Sequence, residues 1–163
     1  LVGGIAWNPV TRRLLRLLQR LPVRQIETPE VPTGEIFAVG HGTEEKRFLP
    51  VWADVDGDTG VELEEDVGLL ARVRNPFISS RTLTLCNGIH SRGVLGAVRT
   101  LTDGRIRESN EAYLAEHFPK GEFGLLVRVP VFQGEALTPD LQNPDNILFA
   151  WPDEAPAKAG RTR

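Results

Sequence analysis

The run from Leu83 to Val98 constrains this chain more tightly than any other stretch. Leu83-Thr84-Leu85-Cys86 is apolar and strand-like. A short loop follows, with glycines at Gly88, Gly93 and Gly96, and then a helical repeat that sets Val94, Leu95, Val98 and Leu101 on one side. Strand, glycine loop and helix N-terminus together form the arrangement with which α/β proteins hold anions. The unpaired N–H groups of a first helical turn and the helix dipole both favour negative charge there. His90, Ser91 and Arg92 stand in the loop and supply an imidazole, a hydroxyl and a fixed cation.

A second unit of the same kind opens the chain. Leu1-Val2-Gly3-Gly4-Ile5 reads as a strand end and turn, Asn8 has N-cap chemistry, and Pro9 suits a first helical position. Val10, Leu14, Leu17, Leu18 and Leu21 mark one helix face, with Arg12, Arg13, Arg16 and Arg20 opposite, and Pro22 stops the helix. Strands are expected at 23–27, 67–73, 82–86, 123–132 and 146–151, and a hairpin from 35–39 and 47–52 joined through Gly40-His41-Gly42-Thr43. Helical patterning returns over 107–118. With helices after two of the strands, the expected fold is a Rossmann-like three-layer α/β sandwich with a largely parallel central sheet and an inserted β-hairpin. If the two glycine-bearing strands are neighbours, Gly3-Gly4 and Gly88–Gly93 face one crevice.

Bulk properties narrow the classes. A chain of 163 residues can bury one core without disulfides. The expected domain spans 1–151, and the Pro-, Ala- and charge-rich 152–163 reads as a linker or disordered tail. The net charge of −3 gives no general pull toward nucleic acid or anionic membrane. No apolar run is long enough to span a bilayer, and one cysteine in an apolar run fits a reducing, cytoplasmic setting. The chain has no methionine and opens on Leu1, so it reads as a piece of a longer polypeptide with further domains.

Each site motif has a plainer alternative. The glycine loop follows G-x4-G-x-x-G but continues with Val94-Leu95, without the Lys and Ser/Thr of a Walker A loop. Its glycines either cradle a ligand or let the helix pack close to the sheet. Gly3, Gly4 and Asn8 either line a ligand or form a plain turn and cap. His90-Ser91 misses the serine-hydrolase elbow, which needs glycine at Ile89, and Ser91 suits an N-cap. Asp54, Asp56, Asp58 and Glu65 match ligand positions of a calcium loop, but Thr59 stands where glycine is required, so a solvated acidic connection is expected. The scattered His41, His90 and His117 show no metal-ligand spacing with Cys86, and no metal is expected. Arg72, inside an apolar run, either meets an anionic partner or ligand or lies in water on an edge strand.

The Gly3-Gly4…Asn8 turn, Asp66-Val67-Gly68 leading to Arg72…Asn75-Pro76-Phe77, and Gly88-Ile89-His90…Gly93 with Gly96-Ala97 together carry a resemblance. The chain resembles an uncharacterised Rossmann-like domain of multidomain actinobacterial proteins, found beside regulatory or defence-type modules. The resemblance covers about two-thirds of the chain. It implies a cytoplasmic sensor or effector domain with a nucleotide-like ligand, and it supplies neither catalytic residues nor a cofactor. The expected function is therefore binding of a small anionic, nucleotide-type ligand. Gly88, His90, Ser91, Arg92 and Gly93 would hold a phosphate, Gly3, Gly4 and Asn8 would line the other side, and Arg72 would stand nearby. The alternatives are a nucleotide-processing hydrolase using Glu111 or Asp66, and an interaction module without a ligand.

Overall fold

The computed structural model describes residues 1–29, 31, 34–54 and 60–152. The expected tail lies outside the described residues apart from Pro152, and so do Asp56, Asp58 and Thr59 of the acidic connection. The elements run α1 (Pro9–Leu17), β1 (Val23–Glu27), β2 (Glu35–Val39), β3 (Lys46–Phe48), β4 (Val51–Asp54), β5 (Val61–Arg74), β6 (Thr82–Gly88), α2 (Ser91–Thr102), α3 (Arg107–His117), β7 (Phe123–Phe132), β8 (Glu135–Ala136) and β9 (Ile147–Trp151).

The sheets are antiparallel, which overturns the Rossmann-like parallel sandwich. β5 is the spine of the larger sheet. It pairs with β7 along one edge, and with β4 and then β6 along the other. The reason for the misreading is physical. β6 and β7 are joined through two helices and do run in the same direction, since each is antiparallel to β5, but β5 lies between them. The tight turn at Asn75–Arg81 returns the chain directly from β5 to β6 as a hairpin. One parallel contact is present. Val2 bridges to Cys86, the Gly3 N–H donates to the Cys86 carbonyl at 3.0 Å, and the opening segment lies beside β6 as the crevice hypothesis required.

Both faces of the large sheet are covered. Val67, Leu69, Ala71 and Val73 of β5 pack with Phe37 and Val23 of the small β1–β2–β3 sheet and with Leu14 and Leu18 beside them. Leu70 faces the other way, with Leu125, Val127 and Val129 of β7, against Ala97, Leu114 and Phe118 of the helical layer. A strand buried on both faces reads as a continuous apolar run, the signature usually associated with parallel sheets. The hairpin from β2 forms through Gly40, with its positive φ of 83°, but the expected partner strand 47–52 divides: β3 (Lys46–Phe48) pairs with β2, and β4 (Val51–Asp54) pairs with β5 of the larger sheet. Asn8 caps α1 as expected, with its Oδ1 accepting from Val10 and Thr11. The helix ends at Leu17, short of Pro22, although Leu18 and Leu21 remain buried.

The glycines of α2 and its entry loop serve close packing. A Cβ on Gly88 would stand 2.3 Å from the Val94 nitrogen, and one on Gly96 would stand 2.5 Å from both methyls of Val129. Backbone cannot yield as a flexible side chain can. Gly88→Ala is therefore expected to destabilise the fold by more than about 3 kcal/mol in urea unfolding. Gly104→Ala, whose Cβ would meet nothing within 4 Å, should change stability by less than about 0.5 kcal/mol.

Candidate functional site

The glycine loop holds an anion, and the anion belongs to the protein. Asp66, fully buried on β5, lies beneath the N-terminus of α2. Its Oδ2 accepts from the Gly93 N–H and from the His90 N–H at 3.1 Å, and its Oδ1 accepts from the Val67 N–H at 2.8 Å. These are charge-assisted bonds at the positive end of a helix dipole, the contacts that a bound phosphate would make. Gly93 is needed for this approach, because a Cβ there would lie 2.5 Å from the Val67 carbonyl and 2.9 Å from Asp66 Oδ2. Ser91 is not the cap. His90 holds the N-cap position without a side-chain capping bond, and Ser91 is an exposed first residue of the helix.

The expected ligand set is thus brought together only in part. Gly4 lies against the loop, since a Cβ on it would be 3.0 Å from the Gly88 carbonyl. Asn8 turns inward, with Oδ1 on the α1 amides and Nδ2 donating to the Val2 carbonyl. The His90 ring packs edge-on against Trp52, with centroids 5.4 Å apart, and its Nε2 is buried without a partner among the described residues. Arg92 reaches toward the Gly134 turn between β7 and β8. Arg72 is placed elsewhere. It lies on the central strand β5 rather than on an edge, with its guanidinium 5.5 Å from the Phe123 ring centroid, in a hollow also lined by Glu111. It is paired with Thr84, four positions along β5 from the Gly68–Gly88 pair, about 13 Å away.

Burial, the largest influence, pushes the Asp66 carboxyl above the ordinary carboxylate range, against the lowering pull of the Gly93 and Val67 N–H groups and of His90. Glu111 is exposed on α3, 3.8 Å from Arg107. Burial also raises the Cys86 thiol, which disfavours the reactive thiolate.

Two features had no counterpart in the motif reading. The first is a buried polar chain between the sheets. Asn87 Nδ2 donates to Gln25 Oε1 at 2.6 Å, and Gln25 Nε2 donates to Glu35 Oε2 at 2.6 Å and to the Gly88 carbonyl at 3.2 Å. Burial first and the Glu27 charge second raise the Glu35 carboxyl, while Arg12, the Ala6 N–H and Gln25 oppose them. The second is a groove of about 550 Å³ between α1 and β1, lined by apolar Leu15 and Val23 and by Arg12, Arg16, Arg24 and His41. Arg12 is tied to Glu27 and to the Ile5 carbonyl, and Arg24 to Glu45 and the Gly40 carbonyl. Arg16 is exposed and makes no ion pair among the described residues.

No protein-family model matches this chain. Searches of curated proteins and of solved structures find no match either.

Removing the Asp66 carboxylate leaves buried N–H groups unsatisfied, so Asp66→Ala is expected to cost about 2–4 kcal/mol. Asp66→Asn keeps one acceptor and should cost less, while exposed Ser91→Ala should stay within about 0.5 kcal/mol. The pH dependence follows from the raised carboxyl. The folded state holds that proton more tightly than the unfolded chain does. Its stabilising contribution is therefore full below the unfolded pKa and is lost as pH rises through the folded one. Chemical denaturation across acidic pH should show the advantage of the wild type over Asp66→Asn shrinking over that window.

Proposed function

We propose that this chain is a binding domain for an anionic ligand, held in the α1–β1 groove rather than by the glycine loop. The observation that carries the reading is the groove itself, in which apolar Leu15, Leu18 and Val23 stand beside Arg12, Arg16 and Arg24, with Glu27 as its one carboxylate. Concave sites that join apolar lining to a few placed polar groups are the common form of a ligand site. Between Asn8 and Glu27 the chain carries Arg12, Arg13, Arg16, Arg20 and Arg24 against the single carboxylate Glu27, in a protein of net charge −3. The capped helix N-termini support the same relocation, because Asn8 and Asp66 already occupy amides that a phosphate would need.

A nucleotide-type ligand suits a groove of this volume, with its phosphate toward Arg16 and its base on the apolar floor. A sensor role within a longer cytoplasmic regulatory or defence protein is consistent with binding that requires no catalytic residue. No described helix is long and apolar enough to cross a membrane. The interaction-module reading is favoured by one observation, Trp7, which is 93% exposed beside Asn8.

Thermal denaturation against a panel of nucleoside mono-, di- and triphosphates and dinucleotides tests the proposal. A ligand at about 100 times its Kd that binds only the folded state should stabilise it by about 2.7 kcal/mol. The stabilisation is expected to be lost in Arg16→Ala and kept in Arg92→Ala. The opposite pattern would return the site to the glycine loop. No shift with any compound would leave the interaction module as the better reading.

A further inference from the structure

The floor of the groove includes the edge of a sheet. β1 is the terminal strand of the small sheet and, among the described residues, pairs with β2 and with no other strand. Among the described residues, no backbone hydrogen bond joins it to a partner beyond that ladder. All five β1 residues line the groove, with α1 as the opposite wall. Proteins usually blunt such an edge with proline, a bulge or a covering segment. Here Pro22 precedes the strand, and no proline or register shift interrupts Val23–Glu27.

We propose that the groove receives an extended, carboxylate-bearing polypeptide segment, which adds as a strand to the free edge of β1. The inference rests on the anion-binding groove and puts a polypeptide in place of the nucleotide-type ligand there. Main-chain bonds from the β1 edge would supply affinity, and alternate side chains would supply specificity. An added strand directs every second side chain to the same face. Acidic residues at i and i+2 would then meet Arg16 and the arginine-rich flank of α1, with the alternate positions on the apolar floor. Arg12, already paired with Glu27, takes part only by exchanging one carboxylate for another. Arg16 needs no exchange and is the principal charged contact. The occupied length is set by β1, whose five residues span about 17 Å.

The experiment uses the full chain, isotopically labelled, with amide exchange and chemical shifts as readouts. The main probe is a capped five-residue peptide alternating valine and glutamate. The controls are the same peptide N-methylated on alternate residues, a valine–lysine version, and a nucleoside triphosphate. The glutamate peptide is expected to protect β1 amides in 23–27 and to lose at least about fivefold in affinity on Arg16→Glu. N-methylation should abolish that protection, and the lysine peptide should not bind. Equal binding of the N-methylated or the lysine peptide, or perturbation confined to residues outside α1 and β1, would overturn strand addition. Arg16-dependent binding of the nucleotide without the glutamate peptide would sink this inference and keep the anion-binding groove. If neither probe moves α1 or β1, both readings fall.

Discussion

Asp66 joins the helical layer to the central sheet through the three N–H groups that its carboxylate accepts. Burying a lone carboxylate costs several kcal/mol unless hydrogen bonds and opposite charge compensate it. Here the Val67, His90 and Gly93 amides and the dipole of α2 offset part of that cost, and burial still holds the carboxyl above its ordinary range. The rest of that layer follows from this seating. Gly88 and Gly93 exist as glycines because α2 must come down onto the carboxylate, and Gly96 continues the close approach one turn later, over Val129. Beyond α2, the Asn110 side chain donates to the Thr100 and Pro139 carbonyls and accepts from the Leu141 N–H, which fixes α3 and the segment after β8. One buried carboxylate and one buried amide thus hold this layer in place.

The opposite layer is joined differently. Asn87, one residue before Gly88, sends its amide through Gln25 to Glu35 and so couples the small sheet to β6. Because each donor in that chain finds an acceptor, the polar residues are tolerated in the interior and add directional restraint to an otherwise apolar interface. β1 is held by its inward face and by β2. Its other edge is left for α1, which ends at Leu17 and does not lie tightly along it. The groove is a consequence of how the small sheet is anchored.

Much of the chain was legible in its sequence. The strands at 23–27 and 123–132 and the helix starting at Asn8-Pro9 follow from period and capping, while the adjacency of Gly3-Gly4 to Gly88 was open in the sequence and is supplied by the structure. Strand direction was not legible. The alternation that betrays an antiparallel strand vanishes when both faces are buried, as in Val67–Val73, and a helical crossover from β6 to β7 does not disclose that β5 lies between them. Asp66 was legible as a residue near the loop, yet its role was not, because an internal carboxylate and an external phosphate demand the same glycines and the same amides. The groove could not be read at all. Whether a strand such as Val23–Glu27 is terminal depends on its neighbours in space, and neither its composition nor its period encodes that.

The anion-loop signature therefore needs one further question before it implies a ligand: which residue, anywhere in the chain, could reach the amides first. In this fold the answer lies 24 residues before His90, on the strand paired with the one that feeds the loop. A carboxylate fixed there is already in place, so an external phosphate would have to displace it and leave a charge buried without its donors. The α1 terminus is closed in the same way by Asn8. With the N-termini of α1 and α2 spent on the fold, recognition of an anion beside them falls to side-chain cations on a surface that packing has left open. The flank of α1 beside the free edge of β1 combines those two conditions.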